Sequence, residues 1–333
     1  MKVNYNNSRD ITFNGFWNSK CVKKGLEFAS NNGALFAATT TLALSTGVRT
    51  ASILVTPKTE KENKKIACAK SVISGILEFA LTLAISMPIA AAFKKIDANP
   101  AKYLKQESIN ALKGGFDNLK ESKAYSLATQ LFKLGLGFAV VLPKALLTAA
   151  GIPIVMDKFS NKDDKVTKLK KEESKGLSFE GKGNEPLTKG LAKILDNKFL
   201  QEFSREYKDS NFPMHIFALK DVFATASFVA LANKNKKIND EQKPFLIKNS
   251  IISTALSLIS SYTIDKLTEK QAAKILEKIK AQNVNDPKLA KYLEGFKIVK
   301  PIVILAVVYY TIIPVLSTFL AQISENVAKK QAD

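Results

Sequence analysis

The chain has 333 residues, of which 50 are lysine or arginine and 30 are aspartate or glutamate, giving a formal charge of +20 and a pI near 9.7. Two cysteines without CxxC spacing and one histidine define neither a disulfide framework nor a zinc, haem or proton-relay site, so no cofactor or metal is expected. Mean hydropathy is near zero, but only because apolar residues gather into blocks while basic residues crowd the stretches between them.

Arg9, Arg49 and Arg205 are the only arginines, so lysine carries nearly all the positive charge. A guanidinium fork reads base edges and clamps phosphates in pairs, whereas lysine acts as a point charge. The composition therefore favours anionic lipid headgroups over nucleic acid as the acidic partner. A lysine bias inherited from an AT-rich genome gives the same composition with no electrostatic role.

In chain order, residues 1–32 form a polar leader without a cleavable signal sequence. Phe16 and Trp17, beside Lys20, Lys23 and Lys24, read as interfacial anchors, because aromatic rings settle at headgroup level. The first hydrophobic block, Ala34 to Val55, is diluted by threonine and serine and interrupted by Arg49, an expense of roughly 2.5–3.5 kcal/mol at a helix centre. A polar hinge from Pro57 to Lys65 leads to a strong block, Ser71 to Phe93, broken only by Glu78. Small residues four apart, such as Ser71 and Gly75 or Ala80 and Ala84, allow close helix approach. An amphipathic stretch follows from Lys94 to Ser126. A third block, Leu127 to Met156, holds Lys133, Lys144, Pro143 and Pro153 and is expected to be kinked or broken.

The charged stretch 158–176 reads as a linker between two halves, 33–157 and 212–324. Residues 177–211 form an amphipathic leader, with Leu187, Leu191, Ile194, Leu195, Phe199, Phe203 and Tyr207 on one face. This helix lies either on the membrane surface or against its own protein. The fourth block, from Phe212, carries Lys220 and Asp221 side by side. A fifth, Phe245 to Ile264, runs into a cationic amphipathic helix. The last block, Pro301 to Ile323, has no charge and as a helix is about 34 Å long, enough to cross a hydrocarbon core of about 30 Å. Residues 325–333 form a polar tail.

The order of parts repeats: leader, weak block, lysine-rich hinge, second block, amphipathic stretch, last block. Phe13-Asn14-Gly15 and Lys24-Gly25-Leu26 answer Phe179-Glu180-Gly181 and Lys189-Gly190-Leu191. Three crossings per half would bring the second half in from the opposite face, giving an inverted repeat of the kind transporters use. The expected fold is an all-α polytopic membrane bundle of about six segments in two related halves.

Ionisable residues inside apolar blocks are the functional candidates, because burying them is costly unless they pair or meet water. These are Glu78, Lys144, Arg49, Asp221 and Lys220, with Glu78 expected to pair with Lys144. The stretch Gly176 to Gly183 approaches a phosphate-binding loop but lacks the terminal hydroxyl, and no catalytic motif occurs. The sequence therefore reads as an integral membrane protein without catalytic chemistry, with either a scaffolding or a solute-translocating role. The competing class is a soluble or peripherally bound all-α interaction protein. Orientation, substrate and self-association are left open.

Overall fold

The computed structural model describes residues 19–31, 33–160 and 185–332. Phe16, Trp17, the Gly176–Gly183 stretch and most of the charged linker lie outside these residues. Among the described residues the chain is helical, with no strand. The helices are α1 (Lys20–Asn31), α2 (Gly33–Ala43), α3 (Arg49–Leu54), α4 (Lys61–Leu81), α5 (Met87–Ala98), α6 (Pro100–Tyr103), α7 (Gln106–Lys113) and α8 (Lys123–Ser160). Past residue 184 come α9 (Glu185–Leu195), α10 (Lys198–Tyr207), α11 (Phe212–Lys234), α12 (Lys243–Gln282), α13 (Leu289–Ile304) and α14 (Ile313–Ala332).

Three π-helical turns join helices into longer passes: Leu44–Val48 joins α2 to α3, Thr82–Ser86 joins α4 to α5, and Leu305–Ile312 joins α13 to α14. The last two stand immediately before Pro88 and Pro314. Proline cannot donate to the carbonyl four residues back, and a widened turn is one way a helix accommodates that loss. At the first, the hydroxyls of Thr46 and Ser45 donate to Leu42 O and that of Thr50 to Ser45 O, giving partners to carbonyls in and beside the widened turn.

Among the described residues, four helical passes are long and apolar enough to cross a membrane: Lys61–Ala98, Lys123–Asp157, Met214–Lys234 and Ile302–Gln331. This is fewer than the six segments expected. The passes α2–α3 and α12 fall short, and they are the ones that bring Arg49, Asn249 and a series of serines and threonines to the interior. In Lys61–Ala98 and Ile302–Gln331, the passes that hold the two long apolar blocks, only 17% and 24% of the most apolar window is buried. Their outward side chains, including Ile76, Val303, Val307, Ile312, Leu316 and Leu320, stay exposed rather than wrapped by the chain's own helices.

The third block, expected to be kinked or broken, is not broken: it is one continuous helix with Pro143 and Pro153 inside it. Pro153 leaves the carbonyl of Ala149 without its helical donor, and Asn235 fills the gap, its Nδ2 donating to Ala149 O at 2.8 Å. Close approach of α4 to the α2–α3 pass depends on Gly75. A Cβ there would lie 1.9 Å from Ser45 Oγ, and one turn earlier Ser71 donates to Ser45 O at 2.7 Å. Of the small-residue pairs, Ser71 and Gly75 face a neighbour in this way, whereas Ala80 and Ala84 are exposed.

The passes share two ends. At one, the hinge end, Lys64 Nζ caps Leu54 O where α3 turns into α4, and Gln322 and Glu325 near the end of α14 bond Glu60 and Asn63. The other, the leader end, gathers the short helices. There Ile96, Leu104, Leu112 and Leu119 pack with Leu191 and Leu195 of α9, and Leu26 of α1 packs with Ile279, Tyr292 and Phe296. The apolar face of α9 is thus turned onto its own protein. Farther along, Phe203 of α10 stacks on Tyr207 at 4.5 Å and meets Phe212 edge-on at 4.9 Å.

α8 and α11 lie side by side and run in the same direction. Lys123 pairs with Asp209 just before α11, Lys220 meets Gly137 midway, and Asn235 just past α11 reaches Ala149. The passes before the charged linker and those after it therefore both start from the leader end, not from opposite ends as expected. The largest core cluster mixes them, joining Ile66 and Ile152 to Phe228, Phe245 and Ala321. It also follows that Ser160 and Glu185 stand at opposite ends: Met156 packs at the hinge end, while Glu185 accepts the Tyr103 hydroxyl at the leader end.

Candidate functional site

Six of the passes face a common interior, and their inward sides are polar. On α4, Lys70, Ser74 and Glu78 follow at intervals of four and so share one helix face. On α8, Gly137, Lys144 and Thr148, seven and four residues apart, likewise share one face. α11 contributes Lys220, Asp221 and Thr225, and α12 contributes Asn249, Ser250, Ser253 and Ser257. Arg49 enters from the first turn of α3, and Ser317 and Thr318 enter from α14. Together these residues line a cavity of about 370 Å³. That size falls within the range of small-molecule sites, roughly 300–1,000 Å³.

All five ionisable residues singled out from the sequence, Glu78, Lys144, Arg49, Asp221 and Lys220, line this one cavity. Lys144 donates to Glu78 Oε2, so this pair is present as expected. Lys220 pairs with its neighbour Asp221, Nζ to Oδ1 at 3.2 Å, and stands over the Phe217 ring. Arg49 does not reach Asp221; its Nη2 donates to Ser253 Oγ at 3.5 Å. Phe16 and Trp17 lie outside the described residues.

Lys70 was missed. It stands one residue before the strong apolar block and reads there as a flanking charge, but its Nζ donates to Ser250 Oγ at 2.6 Å and lies 4.3 Å from the Phe228 ring centroid. The four-residue spacing from Lys70 through Ser74 to Glu78 was the available signal. The hydroxyl lining was also missed, because threonine and serine were read only as dilution of a span. In place they bond one another and the amides, as in Thr225 with Thr254 and Asn249 Nδ2 with Thr318 Oγ1 at 3.0 Å.

Among the described residues no group of histidine, cysteine and carboxylate side chains could hold a metal ion. His215 meets Tyr262 between α11 and α12, Nδ1 to hydroxyl at 2.8 Å. Cys68 is buried, Cys21 is exposed, and both are free.

Comparison with known proteins finds no matching family model, no matching curated protein and no matching solved structure.

Proposed function

We propose that this chain is an integral membrane protein, not an enzyme, that binds and passes a small polar solute through the cavity between its helices. The observation that carries this reading is the polarity of the two surfaces. Charged and hydroxyl side chains converge on the interior, while Leu142, Leu146, Phe217, Leu219 and Ile259 point outward. A scaffold needs no such interior, because an intramembrane charge is retained only where it pairs or lines a hydrated path. In this reading the two halves descend from a duplication and kept the same orientation.

Anionic headgroups are the proposed lipid partner. A pocket at the leader end lined by Lys102, Lys105, Lys189 and Lys193 beside Tyr103 supports this.

A second reading, a soluble or peripherally bound bundle, draws on the charges carried within the passes. Arg49, Lys144 and Lys220 all line the interior, and a lysine or arginine at the centre of a membrane-spanning helix costs roughly 2.5–3.5 kcal/mol.

Carbonate extraction of membranes containing the full chain separates the two. Retention in the pellet is expected, and release into the supernatant favours the bundle. In a background lacking Cys21 and Cys68, single cysteines at positions 49 and 78 are expected to react with a membrane-impermeant thiol reagent. Complete protection of both argues against a solute path.

A further inference from the structure

The charges around the cavity do not balance, and the imbalance is localised. Lys144 has Glu78 and Lys220 has Asp221. Arg49 and Lys70 have no carboxylate within salt-bridge distance among the described residues. Their partners are hydroxyls one turn apart on the same face of α12, Ser253 for Arg49 and Ser250 for Lys70. The Nε of Arg49 is buried and finds no acceptor among the described residues. Leaving a buried donor unmade is costly, more so on a charged group.

We propose that Arg49 and Lys70 form a binding site for a small oxyanion, a carboxylate or phosphate group. This assignment rests on the reading of the cavity as a solute site and names the class of solute. The guanidinium offers a planar fork of N–H donors that matches two oxygens of such a group, and the ammonium adds a point charge from a second helix. Ser250 and Ser253 hold both cations toward α12, and their hydroxyls are further hydrogen-bonding partners. The two unbalanced positive charges suit an anion carrying up to two negative charges. Chloride has no oxygen pair to meet the fork and is the poorer ligand. The cavity of about 370 Å³ exceeds inorganic phosphate, so a small organic anion bearing the same group is also accommodated.

The test uses the full chain purified in a neutral detergent, with binding measured by calorimetry and by ligand-dependent thermal stabilisation. The probes are inorganic phosphate, succinate, chloride and choline at matched ionic strength, and phosphatidylglycerol added to the micelle. Saturable binding of phosphate or succinate, tighter than chloride, is expected. Arg49→Gln and Lys70→Gln should each weaken it by about tenfold or more, the effect of losing a charge-assisted hydrogen bond. Arg49→Lys keeps the charge without the fork and should fall between wild type and Arg49→Gln, a readout that survives if the glutamine variant folds poorly. Lys288→Gln, outside the cavity, should bind like wild type.

Binding of phosphatidylglycerol alone, with the same dependence on Arg49 and Lys70, supports the oxyanion site and identifies a headgroup as its source. Folded protein that binds neither phosphate, succinate nor phosphatidylglycerol overturns the proposal. So does binding that ignores both substitutions. Choline binding without oxyanion binding overturns the anion assignment while leaving a solute cavity in place. Membrane insertion is judged independently by carbonate extraction.

Discussion

Lys144 on α8 donates to Glu78 on α4 across the interior of the bundle, joining residues from two of the passes long enough to span a membrane. The pair is half-open, with Lys144 30% and Glu78 47% exposed. An exposed pair contributes about 0–1 kcal/mol, and breaking a buried one costs about 3–5 kcal/mol. At this exposure, Glu78→Gln and Lys144→Met are each expected to cost about 1–2 kcal/mol, with the double variant recovering part of the loss. Unfolding midpoints in detergent for the four-member cycle check this; strictly additive losses would mean the two side chains are not coupled.

Gly75 is expected to tolerate no side chain while Ser45 stays in place. The added methyl of Gly75→Ala would overlap Ser45 Oγ and sit 2.8 Å from Ser45 Cβ. Overpacking of this kind costs about 1–3 kcal/mol. Combining it with Ser45→Gly removes both clashing atoms and should return most of the stability. A double variant no better than Gly75→Ala would show that the strain lies elsewhere.

Asn235 supplies the donor that Pro153 withholds from Ala149, while its Oδ1 accepts the exposed Lys237 N–H. Asn235→Leu is expected to cost about 1–3 kcal/mol, since it strands a partly buried carbonyl. In a Pro153→Ala background the helix regains its own N–H, and Asn235→Leu should then cost much less. Thermal unfolding of the four proteins measures the difference.

Docking of α1 on α13 should depend on pH at both extremes. Asp286 receives the Lys288 backbone N–H and the Lys23 ammonium, which hold its carboxyl below the ordinary aspartate value. A depressed carboxyl contributes stability that is present above the unfolded value, about 3.9, and is lost as pH falls through the folded one. Lys288 is raised by the Glu27 carboxylate, so its contribution is present below the ordinary lysine value of about 10.4 and is lost as pH climbs through the folded one. Protection of α1 amides from hydrogen exchange is expected to be greatest between these limits, and in Asp286→Asn its loss on the acid side should disappear. An unchanged acid limb in that variant would assign the effect to other carboxylates.

Much of the local structure was readable because it depends on neighbours in the chain. The apolar runs of α4–α5 and α13–α14 specify helices, Pro186 falls in the first turn of α9, and Gly114 ends α7 with a φ of 58°. The candidate residues were readable for the same reason, since a charge inside an apolar run stands out wherever the run is placed. One local expectation, a break in the third block, failed on backbone hydrogen bonding. Pro143 and Pro153 did not break α8, and at Pro153 the missing donor came from Asn235, a residue far along the chain that no local pattern connects to it.

What the chain alone determined is therefore its helices, its two strongest apolar blocks and a short list of misplaced charges, all of them properties of near neighbours. Which of those charges meet, that Lys70 joins them through Ser250, and that α8 and α11 run the same way were decided by tertiary packing. The Lys144–Glu78 and Lys70–Ser250 contacts and the alignment of α8 with α11 all join residues more than sixty positions apart. Such pairing is set by the close approach of whole helices, and helical periodicity carries no record of it.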